Sequence, residues 1–348
     1  DLRLGPVGWR VQASFLPGAH ATVQQRLDDL RMHELDLTRP CVLEKGCVYI
    51  VRLLETLDLP AALGGKANPK STTGRLDVFT RLIVDRAPEF DLVPAGYRGA
   101  LYVEIVPRTF SVLVQQGTRL NQLRLATGGT GAAESNDALL DELHAREGLV
   151  FSGSDDAPAR VAARIQGGLW IGVDLAGDAT GAASGGAPNG AGIVGWRART
   201  HAPLVDLSRV AQYDPHEFWE SLPRPAKGRL ILNPDDFYIL MSRERMRVPP
   251  RYAAAMVPYE PAIGEFRVHY AGFFDPGFGH GPSAPHGTRA VLEVRSHEVP
   301  FVLEDGQVVG RLLYERLLEE PAKLYGRDIG SSYQGQGLRL AKQFRDDR

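Results

Sequence analysis

The stretch Val7-Gly8-Trp9-Arg10 occurs a second time in the chain, as Val194-Gly195-Trp196-Arg197. Trp is rare, with 4 copies among 348 residues, so a repeated string that contains one suggests that a domain is present twice. A second stretch repeats in the same order, because residues 48–60 resemble residues 237–249. The first pair is 187 positions apart and the second 189. This nearly constant spacing predicts two homologous halves.

The composition is typical of a globular protein, with 43% hydrophobic and 24% charged residues. The formal net charge of −2 does not favour a nucleic-acid partner. No apolar run reaches the ~18 residues of a membrane helix, and no signal peptide is visible. With Cys41 and Cys47 as the two cysteines, we expect a reducing, cytoplasmic location and no membrane partner. The alternating opening Asp1-Leu2-Arg3-Leu4 predicts that the natural start lies upstream.

Short alternating stretches separated by turn residues dominate both halves. Residues 100–125 show the order strand, turn, strand, glycine turn, strand, and residues 287–317 show the same order. Long helical patterns are scarce. The predicted fold is therefore mainly β, with two tandem β-barrel or jelly-roll domains and few short helices.

One helical pattern and two polar stretches divide the chain. Leucines at helical spacing over residues 136–146 predict a helix between the halves, and residues 152–160 read as a linker. A Gly/Ala-rich insertion over residues 176–192 predicts a surface loop. The predicted domains are half one over residues 1–133, the helix and linker over 134–160, and half two over 161–348.

The first candidate site is the hydroxyl-rich turn Lys70-Ser71-Thr72-Thr73-Gly74-Arg75. Backbone N–H groups and hydroxyls donate to phosphate oxygens, and the two cations at its ends neutralise phosphate charge. The Gly-x4-Gly-Lys frame of a P-loop is absent. The turn therefore suits a phosphate chain, and a solvated basic turn is the alternative.

A second candidate is VHYAGFFDPGFG, Val268 to Gly279, which predicts a hairpin that ends in an Asp-Pro-Gly turn. Small residues let the backbone approach a flat base edge, and Asp275 can accept a hydrogen bond from a sugar hydroxyl. The alternative is a structural hairpin in which Asp275 only stabilises its own turn.

Glu293 lies in an apolar run between Leu292 and Val294, and its counterpart in half one is Glu104, 189 residues earlier. On a strand, Glu293 shares a face with Val291. A desolvated carboxyl group suits general acid/base chemistry, whereas a solvated face is the alternative.

The C-terminal stretch YGRDIGSSYQGQG, residues 325–337, is polar, rich in glycine and aromatic. It predicts a mobile lid that orders over a ligand. A frayed terminus is the alternative.

Together these strings resemble the dCTP deaminase branch of the trimeric dUTPase superfamily. The resemblance covers most of the chain and occurs once in each half. PKSTTGRLDV is similar to the family's Arg-Ser-Ser-x-x-Arg-Leu-Gly phosphate segment, with Lys70 at the first Arg and Arg75 at the second. VHYAGFFDPGFG resembles its base-binding hairpin, AVLEV its strand with the catalytic Glu, and the C-terminal stretch its lid. The resemblance implies two tandem dUTPase-like domains.

The two halves depart from the family pattern in complementary ways. Half one keeps the phosphate segment, but its hairpin has become DLVPAGYRG, with Val93 where an Asp should precede Pro94. Half two keeps the hairpin, Glu293 and the lid, but its phosphate segment has become YEPAIGE, residues 259–265, whose acidic groups would repel a triphosphate. Since the family's site lies between subunits, we expect one composite site per pair of halves.

The resemblance implies hydrolytic deamination of dCTP to dUTP and ammonia. Water attack at C4 of the base needs a base for the water and an acid for the ring nitrogen and the amine, and one carboxyl group can serve as both. The implied catalytic residues are Glu293 as acid and base, Arg75 to orient Glu293, and Ser71 to position the water. The other implied contacts are Lys70, Thr72 and Gln122 to phosphate, His269, Ala271, Val291 and Leu292 around the base, Asp275 to the sugar 3′-hydroxyl, and Tyr325, Tyr333 and Gln336 in the lid.

The expected partners are dCTP and dUTP, together with further copies of the chain in a homo-oligomeric dimer or trimer. No tightly bound cofactor is expected, and Mg²⁺ would arrive with the triphosphate. A zinc deaminase is not indicated, because Cys41 and Cys47 are spaced as Cys-x5-Cys and no His-x-Glu occurs in the chain. The alternatives are a dUTPase or a bifunctional dCTP-to-dUMP enzyme, and a nucleotide-binding regulator without catalysis.

Overall fold

The computed structural model describes residues 1–127, 136–153, 158–177, 192–258, 266–268, 272–282, 284–296, 298–326, 328, 333 and 337–346. The described helices are α1 (Val23–Leu30), α2 (Ser71–Gly74), α3 (Asp137–Glu147) and α4 (Pro215–Phe218). The described strands are β1 (Leu4–Val11), β2 (Arg31–Asp36), β3 (Cys41–Leu43), β4 (Val48–Asp58), β5 (Leu63–Pro69), β6 (Val78–Val84), β7 (Leu92–Val93), β8 (Arg98–Pro107), β9 (Val112–Val114), β10 (Asn121–Thr127), β11 (Val150–Ser152), β12 (Ala159–Arg160), β13 (Leu169–Gly172), β14 (Ile193–Ala198), β15 (Val205–Asp206), β16 (Trp219–Pro223), β17 (Arg229–Leu232), β18 (Phe237–Met246), β19 (Tyr252–Pro258), β20 (Phe266–Val268), β21 (Phe273–Phe274), β22 (Thr288–Ser296), β23 (Phe301–Glu304) and β24 (Val308–Arg316). The predicted mainly β class is confirmed.

The chain forms two compact units. Unit 1 contains Asp1–Ala132, Thr200–Tyr213 and Ala341–Arg345, and unit 2 contains the remainder of the chain. Two segments from the C-terminal half thus complete unit 1, and the predicted helix-and-linker region belongs to unit 2. These bounds differ from the predicted domain bounds, because pairing between distant segments is not visible in the sequence.

Unit 1 contains three sheets. Five strands lie in the order β2-β1-β4-β8-β6, three in the order β10-β5-β7, and three in the order β15-β9-β3. Strand β15 lies in the segment Thr200–Tyr213 and pairs in parallel with β9. Trp9, Val23, Leu27 and Ile83 are among the residues of a buried cluster beside the five-stranded sheet.

The described residues of unit 2 also form three sheets. The largest has seven strands, with the path β12-β11-β18-β14-β16 and with β22 joining β18 to β20. A second sheet has the order β13-β24-β19-β21, and β17 pairs with β23. One core cluster contains Leu140 and Leu143 of α3 together with Leu292 and Val294 of β22.

The sheet register shows the same arrangement in both units. Three neighbouring strands place equivalent residues opposite one another: Trp9, Ile50 and Glu104 in unit 1, and Trp196, Ile239 and Glu293 in unit 2. The hydroxyl groups of Tyr49 and Tyr238 each accept a backbone N–H at 3.0 Å, from Glu44 and Asn233. The repeat in the sequence is therefore a repeat in structure.

The glycine of the repeated VGWR string is required by close strand packing. A Cβ atom at Gly8 would lie 2.9 Å from Val51 Cγ2, and a Cβ atom at Gly195 would lie 2.5 Å from Leu240 Cδ2. Real Cβ contacts of this length essentially do not occur, so a larger residue would force β1 away from β4, or β14 away from β18.

The predicted helix between the halves is confirmed. Helix α3 begins after Asn136, whose side chain accepts the N–H of Leu139 at 2.8 Å, and it buries Leu140 and Leu143. The predicted linker over residues 152–160 is partly ordered, because β11 and β12 pair at its ends. Residues 178–191 of the predicted surface loop lie outside the described residues. No described helix is long and apolar enough to span a membrane.

Candidate active site

The predicted phosphate segment forms a short helical turn in unit 1. Helix α2 follows β5 directly, with Lys70 at its N-cap position, and the N–H of Arg75 donates to Ser71 O at 3.0 Å. Two bonds to the carbonyl of Leu120 fix the turn: Lys70 N donates at 2.9 Å and Thr73 Oγ1 at 2.9 Å. Ser71 is exposed, whereas Arg75 is only 3% exposed.

Gln122 lies beside this turn. It sits on β10 opposite Asn68 of β5, two residues before Lys70. The ammonium group of Lys70 also pairs with Asp1 at 2.6 Å. Unit 1 therefore brings together the predicted phosphate-binding side of the site at one end of the β5–β10 pair, namely Lys70, Ser71, Thr72, Arg75 and Gln122.

Glu293 lies in the middle of β22, opposite Ile239 of β18. Its neighbours Leu292 and Val294 are fully buried and belong to the core cluster of unit 2. Glu293 and Val291 occupy the other face of the strand, as predicted, and both are nonetheless buried, at 6% and 8% exposure. Burial disfavours the charged form of a carboxyl group, so this position suits proton transfer.

The predicted Asp-Pro-Gly turn is present at the end of β21 in unit 2. The N–H of Phe278 donates to Asp275 O at 3.0 Å, and Gly277 adopts a φ of 95°, a conformation that favours glycine. Tyr325 contacts this turn, because its N–H donates to Pro276 O at 3.0 Å and its ring centroid lies 6.0 Å from that of Phe278. The hairpin turn and the first residue of the predicted lid are thus adjacent.

Some predicted site residues cannot be placed. Tyr333 is described and is 8% exposed. His269, Ala271 and Gln336, and also residues 259–265 of the altered phosphate segment, lie outside the described residues.

The register refines the comparison of the two hairpins. Val93 of β7 lies opposite Gly65, and Phe274 of β21 lies opposite Ala254, which is the counterpart of Gly65. Val93 therefore corresponds to Phe274, and Pro94 takes the place of Asp275.

Sequence reasoning did not identify the partner of Glu104. Glu104 is fully buried, and Arg81 of β6 donates to its Oε1 atom from Nε at 3.0 Å and from Nη2 at 2.6 Å. The same guanidinium stacks on the Phe90 ring at 3.5 Å from the centroid. The carboxylate equivalent to Glu293 is thus held in an ion pair inside unit 1. The alternating pattern of β6 could have indicated which face of the sheet Arg81 occupies, but not which residue it meets.

Asp91 is a second titratable group that the sequence did not indicate. Desolvation raises the pKa of Asp91 to about 7, against the lowering effect of the Leu82 N–H, which donates to Asp91 Oδ1 at 2.7 Å. Arg81 lowers this pKa further and Glu104 raises it. The group precedes β7 and belongs to unit 1.

Comparison with known proteins identifies the family. The family described as 2′-deoxycytidine 5′-triphosphate deaminase (DCD), N-terminal domain, matches residues 1–129, and its C-terminal domain matches residues 136–344. A crystal structure of 2′-deoxycytidine 5′-triphosphate deaminase from Agrobacterium tumefaciens is 50% identical, with a TM-score of 0.81, and the match covers 91% of this chain and 89% of that one. The chain belongs to the dCTP deaminase family, which confirms the resemblance seen in its sequence.

Other relatives match less than half of the chain. A "dCTP deaminase, dUMP-forming" from Halobacterium salinarum is 33% identical over 154 residues, which is 43% of this chain and 73% of that protein. A "dCTP deaminase" from Natronomonas pharaonis is 30% identical over 122 residues, which is 34% of this chain and 58% of its own length. Relatives that match so small a share of this chain are consistent with its doubled organisation.

Proposed function

We propose that this chain catalyses the hydrolytic deamination of dCTP to dUTP and ammonia, with Glu293 as general acid and base. Membership of the dCTP deaminase family and the names of the relatives support the substrate. The observation that carries the mechanism is the burial of Glu293, 6% exposed on the face of β22 that does not enter the core.

The reaction requires two proton transfers, and one acid/base group carries out both. Glu293 takes a proton from water as the oxygen attacks C4 of cytosine, and it passes that proton to the ring nitrogen N3. The hydroxyl group of the tetrahedral intermediate then loses its proton as the amine gains one, and ammonia leaves as the C–N bond breaks. A single carboxyl group can carry both transfers, because each transfer leaves it in the protonation state that the next one needs.

The other side chains of the proposed site position Glu293, the attacking water and the substrate, and they neutralise phosphate charge. Arg75 orients the Glu293 carboxylate, and Ser71 with the backbone at Ala271 holds the water. Lys70, Thr72 and Gln122 take the phosphates, and Asp275 accepts from the sugar 3′-hydroxyl. These residues come from unit 1 and unit 2, so the proposal requires a composite site that draws on both. The adjacency of the phosphate turn with Gln122 supports the phosphate side within unit 1, and the adjacency of the Asp275 turn with Tyr325 supports the sugar side within unit 2.

Mg²⁺ is proposed to arrive on the triphosphate rather than on a protein site, and zinc has no role. The absence of a His-x-Glu sequence and the Cys-x5-Cys spacing of Cys41 and Cys47 support this. Cys41 lies on β3, where burial raises the pKa of its thiol, which disfavours the thiolate that binds zinc. The described residues contain no group of three or more His, Cys, Asp or Glu side chains arranged to hold a metal ion.

A second candidate is a bifunctional enzyme that continues from dUTP to dUMP. The name of the relative from Halobacterium salinarum, "dCTP deaminase, dUMP-forming", favours it. One experiment separates the two: incubation with dCTP and, separately, with dUTP, with ammonia and pyrophosphate assayed independently. Ammonia without pyrophosphate supports the deaminase alone, both products from dCTP support the bifunctional enzyme, and no ammonia overturns the proposal.

A further inference from the structure

Unit 1 contains a cavity of about 350 Å³ next to the phosphate turn, and most of its lining residues have no role in the proposed mechanism. Four separate parts of the chain line this cavity, which we name the tail pocket: residues 70–78 in part, residues 115–120, Leu207 with Ser208, and Lys342 with Gln343. Ser71, Arg75 and Gln122 are not among its lining residues. The pocket therefore shares only part of the phosphate turn with the proposed substrate site.

The C-terminal side of the tail pocket is firmly held. The carbonyl of Gln343 accepts the N–H groups of Gln212 and Tyr213 at 2.9 and 3.1 Å. The side-chain amide of Gln343 donates to Leu207 O at 3.1 Å, and the rings of Tyr213 and Phe344 lie 6.2 Å apart. Lys342 therefore lies in a segment that the hydrogen bonds of Gln343 hold at the pocket.

The charge of the tail pocket is positive. Lys70, Arg119 and Lys342 line it, and Asp1 is its one acidic lining residue. Asp1 pairs with Lys70, so this charge is balanced. Arg119 and Lys342 make no ion pair with any residue that the structure describes. Thr118 accepts the N–H of Gln115 at 3.1 Å, so its own hydroxyl hydrogen remains free to donate.

We propose that the tail pocket binds a polyphosphate group of a second ligand, separate from the substrate. Two cations that form no ion pair with a described residue, at a concave surface with a hydroxyl donor, attract and orient phosphate oxygens. Lys70 and Thr72 line this pocket and also belong to the proposed substrate site. A ligand in the pocket therefore changes the affinity for dCTP, and the pocket regulates dCTP binding. This regulatory part rests on the proposed function, whereas binding itself does not.

The ligand chemistry has two sources, inorganic polyphosphate and a nucleoside triphosphate that is not a substrate. The probes are therefore inorganic tripolyphosphate and ATP, each titrated calorimetrically into the full chain at fixed ionic strength. Replacing Arg119 and Lys342 together by Gln removes two charged contacts, and we expect at least ~10-fold weaker binding. Binding of tripolyphosphate alone identifies inorganic polyphosphate as the source, and tighter binding of ATP identifies a nucleotide.

The matched control is Arg39→Gln with Arg98→Gln, which removes the same charge from exposed positions of unit 1 that pair with Asp36 and Asp58. It should bind both probes as the wild type does. The proposed site is wrong if the control loses as much affinity for the probes as the Arg119/Lys342 variant, or if that variant binds them with unchanged affinity. A second titration uses Glu293→Gln saturated with dCTP: binding of the probe beside dCTP supports a separate ligand, and complete exclusion overturns it. Neither titration needs turnover, so failure of the proposed deaminase activity would be seen separately.

Discussion

Arg81 neutralises Glu104, the carboxylate at the position equivalent to Glu293. Its guanidinium reaches Glu104 Oε1 from two nitrogen atoms at 2.6 and 3.0 Å, while it stacks on Phe90. Glu104 is fully buried, so this ion pair fixes its side chain inside unit 1. We therefore expect Glu104 to have a structural role, whereas the proposed mechanism assigns proton transfer to Glu293.

Glu104→Gln should leave deamination near the wild-type rate but lower stability. Removing one partner of a buried ion pair costs about 3–5 kcal/mol, and because the amide can still accept from Arg81 we expect the lower end of that range. Ammonia release and the free energy of unfolding by denaturant should be measured on the same preparation. If Glu104→Gln abolishes turnover in a folded protein, the roles of the two halves are reversed.

Glu293→Gln should abolish turnover while nucleotide binding is retained. The amide keeps the shape of the side chain but cannot take a proton from water, so we expect kcat to fall by at least ~10²–10⁴. Calorimetric titration with dCTP provides the binding control, and Glu104→Gln is the matched variant at the equivalent strand position. A Glu293→Gln enzyme that retains more than a tenth of its activity would remove Glu293 from its proposed role.

The elements that the sequence predicted well are those fixed by local geometry. Period-two alternation placed Glu293 and Val291 on one strand face, and helical spacing predicted α3. The Arg81–Glu104 pair was not predicted because it depends on the register of β6 against β8, which are separated by residues 85–97 with β7 among them. Likewise, nothing local indicates that Ala341–Arg345 joins unit 1.

Asp91 should make unit 1 less stable as the pH rises. Its pKa of about 7 in the folded state lies above the value of 3.8 expected when unfolded, so the folded state binds more protons between these values. Its contribution is present at low pH and is lost as the pH rises through 7, by about 2–3 kcal/mol between pH 5 and 8. Asp91→Asn should remove this loss, so its stability relative to wild type should increase from pH 5 to pH 8. Denaturant unfolding at both pH values tests this, and parallel profiles of the two proteins would contradict it.

Deamination should proceed without added zinc. The chain lacks the His-x-Glu sequence of zinc deaminases and is proposed to rely on Glu293 instead. The measurement is ammonia release after treatment with a zinc-selective chelator, with excess Mg²⁺ present so that the triphosphate stays complexed. Loss of activity that zinc restores, and Mg²⁺ does not, would contradict the proposed mechanism.

The composite site predicts that Arg75→Ala and Glu293→Ala each inactivate the enzyme, although Arg75 lies in unit 1 and Glu293 in unit 2. Mixing the two inactive variants then distinguishes two arrangements. If the site forms between chains, subunit exchange returns part of the activity, because some sites receive an intact Arg75 from one chain and an intact Glu293 from another. If it forms within one chain, no mixture is active.

We expect no recovery on mixing, because duplication tethers the two parts at high effective concentration. Subunit exchange must be verified with two differently tagged chains, and a mixture of wild type with Glu293→Ala shows how far exchange alone alters the rate. Clear recovery would establish a site between chains and leave the pairing of Arg75 with Glu293 intact. Normal turnover by Arg75→Ala would instead remove the composite site, because the phosphate turn of unit 1 would then have no part in the chemistry of Glu293.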